Sequence, residues 1–228
     1  MLAFKLGMSL GGSNRPMGVW KPTDEASVVA WYQNAVGITL NGSDVSAWAD
    51  SANSNDMAQS TASEQPAYSA GSLTFVSADD THLQTTSQIS LTGAFTIGIK
   101  LTPTGSNTGT FLADITTSNE FFKLTSTTNL RTKIDGNTSN IPLDSGTFGD
   151  DYLVITRNGS NVITLNKNGV AQSTTTTTAG TADIDAIGLR QGSGSGVNGF
   201  DGVIEEIQIF SSTSAALTAN INDYLSKI

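Results

Sequence analysis

The chain has 228 residues, no cysteine and a formal net charge of −9. A chain of this length buries a core large enough to fold without disulfides or a structural metal, and the lack of cysteine excludes thiol chemistry. The acidic balance argues against nucleic-acid binding, because domains that bind nucleic acid carry a basic surface.

Residues 1–22 differ in composition from the rest of the chain. They carry Lys5, Arg15 and Lys21 and no acidic residue, so this segment has a charge of +3 and the remainder has −12. The segment is rich in Gly, Ser and Pro and shows no steady hydrophobic period, which is typical of an arm or linker. We therefore predict an N-terminal arm over residues 1–22 and one β-sandwich domain over residues 23–228.

No targeting segment is predicted. The N-terminal run "MLAFKLGMSLGG" is interrupted by Lys5 and Gly7 and is followed by no small-residue cleavage site, so it does not match a signal peptide. No run approaches the roughly 20 apolar residues that span a bilayer, so we expect no membrane insertion.

Short runs rich in β-branched and aromatic residues recur along the chain, with Gly, Asn, Asp and Ser between them. Such runs predict an antiparallel sandwich or barrel. Asn168-Gly169 lies between two alternating runs and predicts a tight hairpin turn, since both residues tolerate a positive φ. The low-complexity tract 173–185, with its five consecutive threonines, predicts a β edge or an exposed loop. Examples of these runs, each predicted to be a strand, lie at 72–76, 95–101, 110–115, 120–125, 130–134, 152–157, 162–167 and 203–210.

The hydrophobic period changes near the C-terminus. Apolar residues there follow helical spacing, and Thr213 or Ser214 precedes them as a candidate N-cap. We predict one amphipathic helix that packs on the sandwich. Its apolar positions are Leu217, Ile221, Tyr224, Leu225 and Ile228.

Five segments together resemble a concanavalin A-like jelly roll of the laminin-G-like type. "LTFVSADDTHLQTTSQISLTGAFTIGIKLTPT" (73–104) is similar to the opening strands of that family, and "DYLVITRNGSNVITLNKNGVAQST" (151–174) is similar to its central hairpin pair. "AIGLRQGSGSGVNGFDGVIEEIQIF" (186–210) resembles its penultimate strand, glycine-rich loop and closing strand. Residues 217–228 resemble the helix that often follows, and residues 28–68 resemble the lead-in of many bacterial and phage versions. The resemblance implies the fold but no single function, because members include glycan-binding modules, adhesins, glucanases and virion proteins.

Two adjacent glutamates, Glu205 and Glu206, raise the question of a catalytic acid pair. A retaining glycosidase needs two carboxyl groups on one face, about 5 Å apart. Successive residues of a regular strand point to opposite faces, so we expect these side chains to be separated, one half-buried and the other solvated. The resemblance implies that a glucanase would carry a Glu-x-Asp-x-x-Glu or similar motif, which this sequence lacks. We therefore predict that the chain is not an enzyme.

A histidine-based site is also disfavoured. His82 is the only histidine, so a His-based metal cluster is impossible and a Ser-His-Asp triad would depend on this residue alone. We expect His82 to be a surface or partly packed residue.

Many laminin-G-like domains bind calcium, so the resemblance leaves a calcium site open although no cofactor is predicted. Three acidic pairs could supply oxygen ligands. Short acidic turns are also ordinary loop chemistry, because Asp side chains cap turns, and no pair is favoured over the others. The pairs are Asp79 with Asp80, Asp150 with Asp151, and Asp183 with Asp185.

A glycan-binding site would use aromatic rings that stack on sugar faces. Aromatic residues make up 7% of the chain, which is lean for a dedicated sugar binder. Trp31 and Trp48 stand in alternating apolar contexts and are predicted to be core residues, and no glycan-binding residue is assigned. The aromatic candidates are Trp20, Trp31, Tyr32, Trp48, Tyr68 and Tyr152.

The N-terminal arm gives the main functional prediction. Its apolar residues Phe4, Leu6 and Trp20 and its basic residues Lys5 and Arg15 are predicted to order against an acidic or apolar partner surface. The alternative is a disordered tail with no partner. By analogy, phage structural proteins often dock a jelly roll onto a shell or tail through such an arm.

We therefore predict a non-enzymatic structural or attachment protein of a phage particle, either a capsid decoration or a tail appendage. The arm would anchor it to other virion proteins, and the analogy with such appendages implies a homo-oligomer located in the virion. The first alternative is a lectin-like glycan-binding module of a bacterial surface or secreted protein, with cell-surface glycans as partners. The second alternative is a glucanase-like glycoside hydrolase.

Overall fold

The computed structural model describes residues 19–104, 109–190 and 199–228, which are mainly β-strand. Every strand pair among these residues is antiparallel. The all-β fold predicted from the alternating runs is confirmed. The strands in chain order are β1 (Val28–Tyr32), β2 (Ile38–Asn41), β3 (Asp44–Trp48), β4 (Met57–Ala58), β5 (Ala67–Ser69), β6 (Ser72–Phe75), β7 (Leu83–Thr92), β8 (Phe95–Pro103), β9 (Gly109–Ala113), β10 (Phe121–Ser126), β11 (Asn129–Ile134), β12 (Asn137–Pro142), β13 (Asp151–Arg157), β14 (Val162–Lys167), β15 (Val170–Thr176), β16 (Thr181–Ile187) and β17 (Gly202–Phe210).

The strands form two layers that are joined at one corner. In the first sheet, β17 pairs with β8 on one side and with β1 and β6 on the other, and β13, β14 and β15 follow beyond β8. In the second sheet the order is β4, β7, β16, β9, β10, β11 and β12. The corner is made by β3 and β5, since β3 pairs with β4 of the second sheet and β5 pairs with β6 of the first. This is the sandwich of a jelly roll.

The turn and edge signals of the sequence are confirmed at two places. Asn168 and Gly169 join β14 to β15 with φ values of 50° and 78°, which is the left-handed backbone that a tight hairpin requires. The threonine tract enters β15, which pairs only with β14 among the described residues and so forms an edge of the first sheet.

Apolar side chains of both sheets meet between the layers. Phe95 of the first sheet and Phe122 of the second pack edge to face with their ring centroids 6.0 Å apart. Trp48 and Trp31 are both buried, as predicted. Trp48 belongs to this core, whereas Trp31 packs on the other side of the first sheet, with its ring 6.1 Å from that of Tyr224. Alternation is clearest along β11, where Leu130, a threonine and Ile134 point inward and the residues between them stay partly exposed.

The helix α1 (Ala215–Leu225) covers the outer face of the first sheet, as predicted. It begins at the N-cap Ser214, whose hydroxyl accepts a 3.0 Å hydrogen bond from the backbone N–H of Leu217. Its buried residues pack against the first sheet beside Gly98, where a Cβ would lie 2.5 Å from Ile221 Cγ2. The cluster comprises Val154, Phe210, Leu217, Ile221 and Leu225. No helix of the described residues is long and apolar enough to cross a membrane.

Three short 3-10 helices complete the secondary structure of the described residues. They lie at Pro22–Asp24, Ala62–Glu64 and Ser77–Asp79. The predicted glycine-rich loop before the closing strand falls largely on residues 191–198, which lie outside the described residues.

Candidate functional site

The predicted alternation of the closing strand is wrong at Glu205. The pairing of β17 with β8 passes from Ile204 opposite Leu101 directly to Glu206 opposite Lys100, so Glu205 is the extra residue of a β-bulge. As a result Ile204 enters the core cluster together with the isoleucines at 207 and 209, which regular alternation would have placed on the other face. Regular alternation of faces along the strand therefore does not separate the two glutamates. They differ in their burial and in their hydrogen-bond partners.

Glu206 is a buried structural carboxylate, where the sequence predicted one half-buried and one solvated glutamate. It is 1% exposed, and its oxygens accept hydrogen bonds from Trp31 Nε1 at 2.6 Å, from the backbone N–H of Asn34 at 2.9 Å and from Gln208 Nε2 at 2.9 Å. Burial raises the pKa of Glu206, although these hydrogen bonds oppose the shift. Glu205 is half-buried and accepts a hydrogen bond from Ser72 Oγ at 3.2 Å.

The predicted arm residues are only partly within the described chain. Phe4, Lys5, Leu6 and Arg15 lie outside the described residues. Trp20 packs against the domain itself: its ring centroid is 6.3 Å from that of Phe210 and 6.1 Å from that of Tyr224, and its Nε1 donates a 3.1 Å hydrogen bond to Glu25. A role of these arm residues in binding a partner stays a prediction.

Three of the aspartates considered for calcium have identified partners. Asp150 pairs with Lys100, and Asp151 pairs with Lys167 at 2.9 Å. Asp185 accepts a 2.6 Å hydrogen bond from the backbone N–H of Ile115. Within the described residues no group of three or more acidic or histidine side chains is arranged to hold a metal ion. The absence of a cofactor stays a prediction, with calcium as the open alternative.

His82 is more buried than predicted. It is 6% exposed, its Nδ1 lies 2.7 Å from the carbonyl oxygen of Asp80, and its Nε2 lies 2.9 Å from Gln59 Nε2. These contacts fasten the turn before β7 to the neighbouring loop, which is a structural role.

The aromatic candidates for glycan binding are mostly buried. Tyr32 and Trp48 are core residues, and the Tyr32 hydroxyl donates a 2.6 Å hydrogen bond to the carbonyl oxygen of Asn55. Tyr68 and Tyr152 are half-buried and pack against the apolar clusters. These aromatic candidates therefore do not form the candidate site. Polar and aromatic groups converge on a different face of the domain.

That face is the outer surface of β10 and β11 in the second sheet. In the register of these strands Phe121 lies opposite Lys133, and Lys123 lies opposite Arg131. Residues that are directly paired share a face of the sheet, and this face is the outer one because Phe122 and Leu124 point into the core. Arg190, which follows β16, places its guanidinium carbon 5.1 Å from the centre of the Phe121 ring. We call Phe121, Lys123, Arg131, Lys133 and Arg190 the cationic face.

The cationic face concentrates like charges. Burial lowers the pKa of Lys123, and the neighbouring charges of Arg190 and Arg131 lower it further. Arg131 Nε donates a 2.8 Å hydrogen bond to Asn140 Oδ1, and Lys133 Nζ donates a 2.7 Å hydrogen bond to the carbonyl oxygen of Ser118, so both of these partners are neutral. Like charges directly opposite on a sheet are destabilising, so this arrangement works against stability.

Acidic side chains occupy the neighbouring end of the same region. Asp114 closes the turn after β9 by accepting hydrogen bonds from the N–H and hydroxyl groups of Thr116, each at 2.6 Å. Burial raises the pKa of Glu120, and Asp114 and Asp183 add to that shift. Glu120 directly precedes Phe121, so these acidic residues adjoin the cationic face on the second sheet.

The chain's fold is shared with solved structures, while its sequence is not matched by known families. No protein-family model matches the chain, and no curated protein matches it. The binding domain of botulinum neurotoxin serotype D/C VPI 5993 is similar over 91% of this chain and 53% of its own, with 12% identity and a TM-score of 0.59. This chain thus spans about half the length of that domain.

Two further structures show the same fold. One is a structure of botulinum neurotoxin type C, whose cell entry is described as dependent on interaction with two ganglioside molecules. The similarity covers 90% of this chain and 52% of that structure, with 13% identity and a TM-score of 0.54. The other is a Trypanosoma rangeli sialidase in complex with a difluoro sugar acid, with 11% identity, coverage of 89% and 33%, and a TM-score of 0.54. At these identities the likeness shows the jelly-roll fold alone, and function has to be argued from the site.

Proposed function

We propose that this chain is a non-catalytic glycan-binding module whose binding surface is the outer face of the second sheet. The proposal rests on one observation: the outer face of the first sheet is covered, and the outer face of the second sheet carries cationic side chains. Helix α1 and its apolar cluster cover the first sheet, whereas on the second sheet the strands β10 and β11 present half-buried lysine and arginine side chains around Phe121.

The chemistry of that face suits a saccharide. Sugar hydroxyls and ring oxygens accept hydrogen bonds from ammonium and guanidinium groups, and a rigid β-sheet holds such donors in fixed positions. The side chain of Arg190 is held over Phe121 at 5.1 Å, so part of the cost of ordering it is met before a ligand binds.

The fold comparison supports the proposal. A structure of this fold comes from a neurotoxin described as dependent on two ganglioside molecules, which carry glycan head groups. A catalytic alternative has less support, because Glu206 is held inside the fold by Trp31, Asn34 and Gln208 and is not placed to attack a substrate.

A glycan array probed with the full chain tests the proposal. We expect specific binding that is lost when Arg131→Gln and Arg190→Gln are combined. Lys227→Gln is the matched control, because Lys227 pairs with Asp223 on the exposed helix end and lies outside the cationic face. A chain that binds no saccharide, or a double variant that binds as well as the parent, would overturn the proposal.

The attachment of this module to a phage particle stays a separate proposal. It rests on the composition of residues 1–22 and on the resemblance given above. Mass spectrometry of purified particles tests it, and absence of the chain from the particles would reject it. A displayed glycan-binding module and an anchoring arm are compatible, since they use different parts of the chain.

A further inference from the structure

We infer that the cationic face selects acidic saccharides, namely sugars that carry a carboxylate group. The inference rests on the proposed function and adds the chemical class of the ligand. It is argued from the distribution of charge, from the geometry of β10 and β11 and from the partners of the cationic side chains.

The distribution of charge is uneven. The chain has 11 lysine and arginine residues and a net charge of −9, yet four of those cations belong to the cationic face. A charge arrangement that serves only solubility would spread the cations among the acidic residues. Grouping them in one place favours an anion between Lys123 and Arg131, while Asp114, Glu120 and Asp183 beside the face limit how far the positive potential extends.

The arrangement also has a cost in stability. Lys123 and Arg131 are a directly opposed cross-strand pair of like charge, and Arg190 adds a third positive charge to the environment of Lys123. The hydrogen bonds of Arg131 and Lys133 go to neutral oxygens of Asn140 and Ser118, which leaves their charge uncompensated by those partners. A bound anion would relieve this repulsion, and the relief would add to the free energy of binding.

The geometry suits one carboxylate. Directly opposed residues of an antiparallel pair have Cβ atoms about 4.5–5.5 Å apart, so the ends of Lys123 and Arg131 can converge on a single anion. The planar guanidinium of an arginine can bind a carboxylate through two parallel hydrogen bonds, while the lysine ammonium acts as a compact charge beside it.

The test compares saccharides that differ in charge. Isothermal titration of the full chain is done with lactose, with a sulfated lactose, with sialyllactose and with an oligogalacturonate, at salt concentrations of about 0.05 M and about 0.5 M. We expect at least one carboxylated probe to bind at least about tenfold more tightly than lactose at low salt, with this preference shrinking at high salt. The two carboxylated probes distinguish a sialic acid from a uronic acid as the source of the carboxylate.

Variants locate the site. Lys123→Gln and Arg131→Gln are each expected to weaken binding of the carboxylated probe about tenfold or more, Arg131→Lys to retain part of it, and Lys227→Gln to leave it unchanged. Chemical denaturation of each variant shows whether it is folded, so loss of binding cannot be mistaken for unfolding.

The outcomes separate the two proposals. If lactose binds as tightly as the carboxylated probes, the inference is wrong and the proposed function stands. If a sulfated lactose binds but no carboxylated probe does, the selection of carboxylates is wrong. If no saccharide binds, the proposed function fails, and the inference fails with it. Unchanged binding in both Lys123→Gln and Arg131→Gln would mean that the cationic face is not the site.

Discussion

The indole Nε1 of Trp31 donates a 2.6 Å hydrogen bond to Oε1 of Glu206, although 175 residues separate the two in sequence. The bond joins β1 to β17, and the Trp31 ring packs edge to face on that of Tyr224 in α1, with the ring centroids 6.1 Å apart. Through Trp31 the buried carboxylate of Glu206 thus connects two strands of the first sheet with the helix. Glu206 is also one of the two adjacent glutamates that raised the question of a catalytic acid pair.

Glu206 makes the stability of the chain depend on pH in a definite direction. Burial raises its pKa in the folded state above the ordinary value of 4.5, so the folded state holds the proton more tightly than the unfolded state does. Its contribution to the free energy of unfolding is therefore fully present below about pH 4.5 and is lost as the pH rises through the folded pKa. Glu206→Gln cannot titrate, so the free energy of unfolding of the parent minus that of the variant should fall with rising pH.

Urea denaturation of both proteins from about pH 4 to about pH 8 measures this difference. Glu120 and Asp185, whose pKa values are also raised by burial, are present in both proteins and cancel in the comparison. A difference that stays constant or grows with pH would contradict the prediction.

Substitution of Arg157 is predicted to destabilise the fold more than substitution of any other described lysine or arginine. It is fully buried, and its guanidinium donates hydrogen bonds to the carbonyl oxygens of Gly93 at 2.5 Å, Gly180 at 2.7 Å and Leu91 at 3.0 Å, while it packs over Phe95 at 4.9 Å. Arg157→Ala leaves three carbonyls without this donor and opens a cavity, so we expect it to lower the free energy of unfolding by at least about 3 kcal/mol.

Arg157→Lys provides the control for charge. A lysine ammonium cannot reach three carbonyls from the directions that a guanidinium fork does, so this variant should fall between the parent and Arg157→Ala. Chemical denaturation gives all three values. An alanine variant within about 1 kcal/mol of the parent would show that water replaces the lost donors.

Local signals in the sequence were enough to predict much of this fold. Asn168-Gly169 forms its hairpin turn and Ser214 caps the helix because both depend on neighbouring residues alone. Several strands were not predicted. The shortest of them, β4 with two residues, is held by its pairing with β3 and β7 and has no pattern of its own.

The candidate site was harder to predict because it depends on register and on distant contacts. Lys123 and Arg131 belong to one hairpin, but the register between β10 and β11 shifts near Ser126, so their facing positions did not follow from spacing alone. Arg190 reaches Phe121 from a strand end 69 positions away in the sequence. The bulge at Glu205 likewise exists only in the pairing of β17 with β8.

Lys123 is predicted to lower stability in the absence of ligand. Its charge faces that of Arg131 directly and lies near that of Arg190, so Lys123→Gln should raise the free energy of unfolding by about 0.2–1 kcal/mol. The gain should shrink at high salt, because salt screens the repulsion that the substitution removes. Urea denaturation at low and high salt checks both statements. A loss of stability in Lys123→Gln would mean that this lysine stabilises the sheet, and the charge cluster would then have a structural explanation.

Trp20 is predicted to contribute to the stability of the folded domain, although it belongs to the segment assigned to the arm. Its ring packs on Phe210 and Tyr224, and its indole is bonded to Glu25, so a chain that lacks residues 1–22 loses this packing while a chain that lacks residues 1–18 keeps it. We expect the shorter of the two proteins to be less stable than the longer by about 1–3 kcal/mol, a range set below that of a fully buried tryptophan because Trp20 is partly exposed.

Trp20→Ala in the chain that lacks residues 1–18 is the control, and it should reproduce most of that loss. Equal stability of the two shortened proteins would show that the Trp20 contacts contribute little.

The comparison of the two shortened proteins also decides how attachment to a particle has to be tested. Removal of residues 1–18 deletes Phe4, Lys5, Leu6 and Arg15 and leaves the Trp20 packing in place, so failure of that protein to attach would report on the arm, whereas failure after removal of residues 1–22 could reflect a weakened domain.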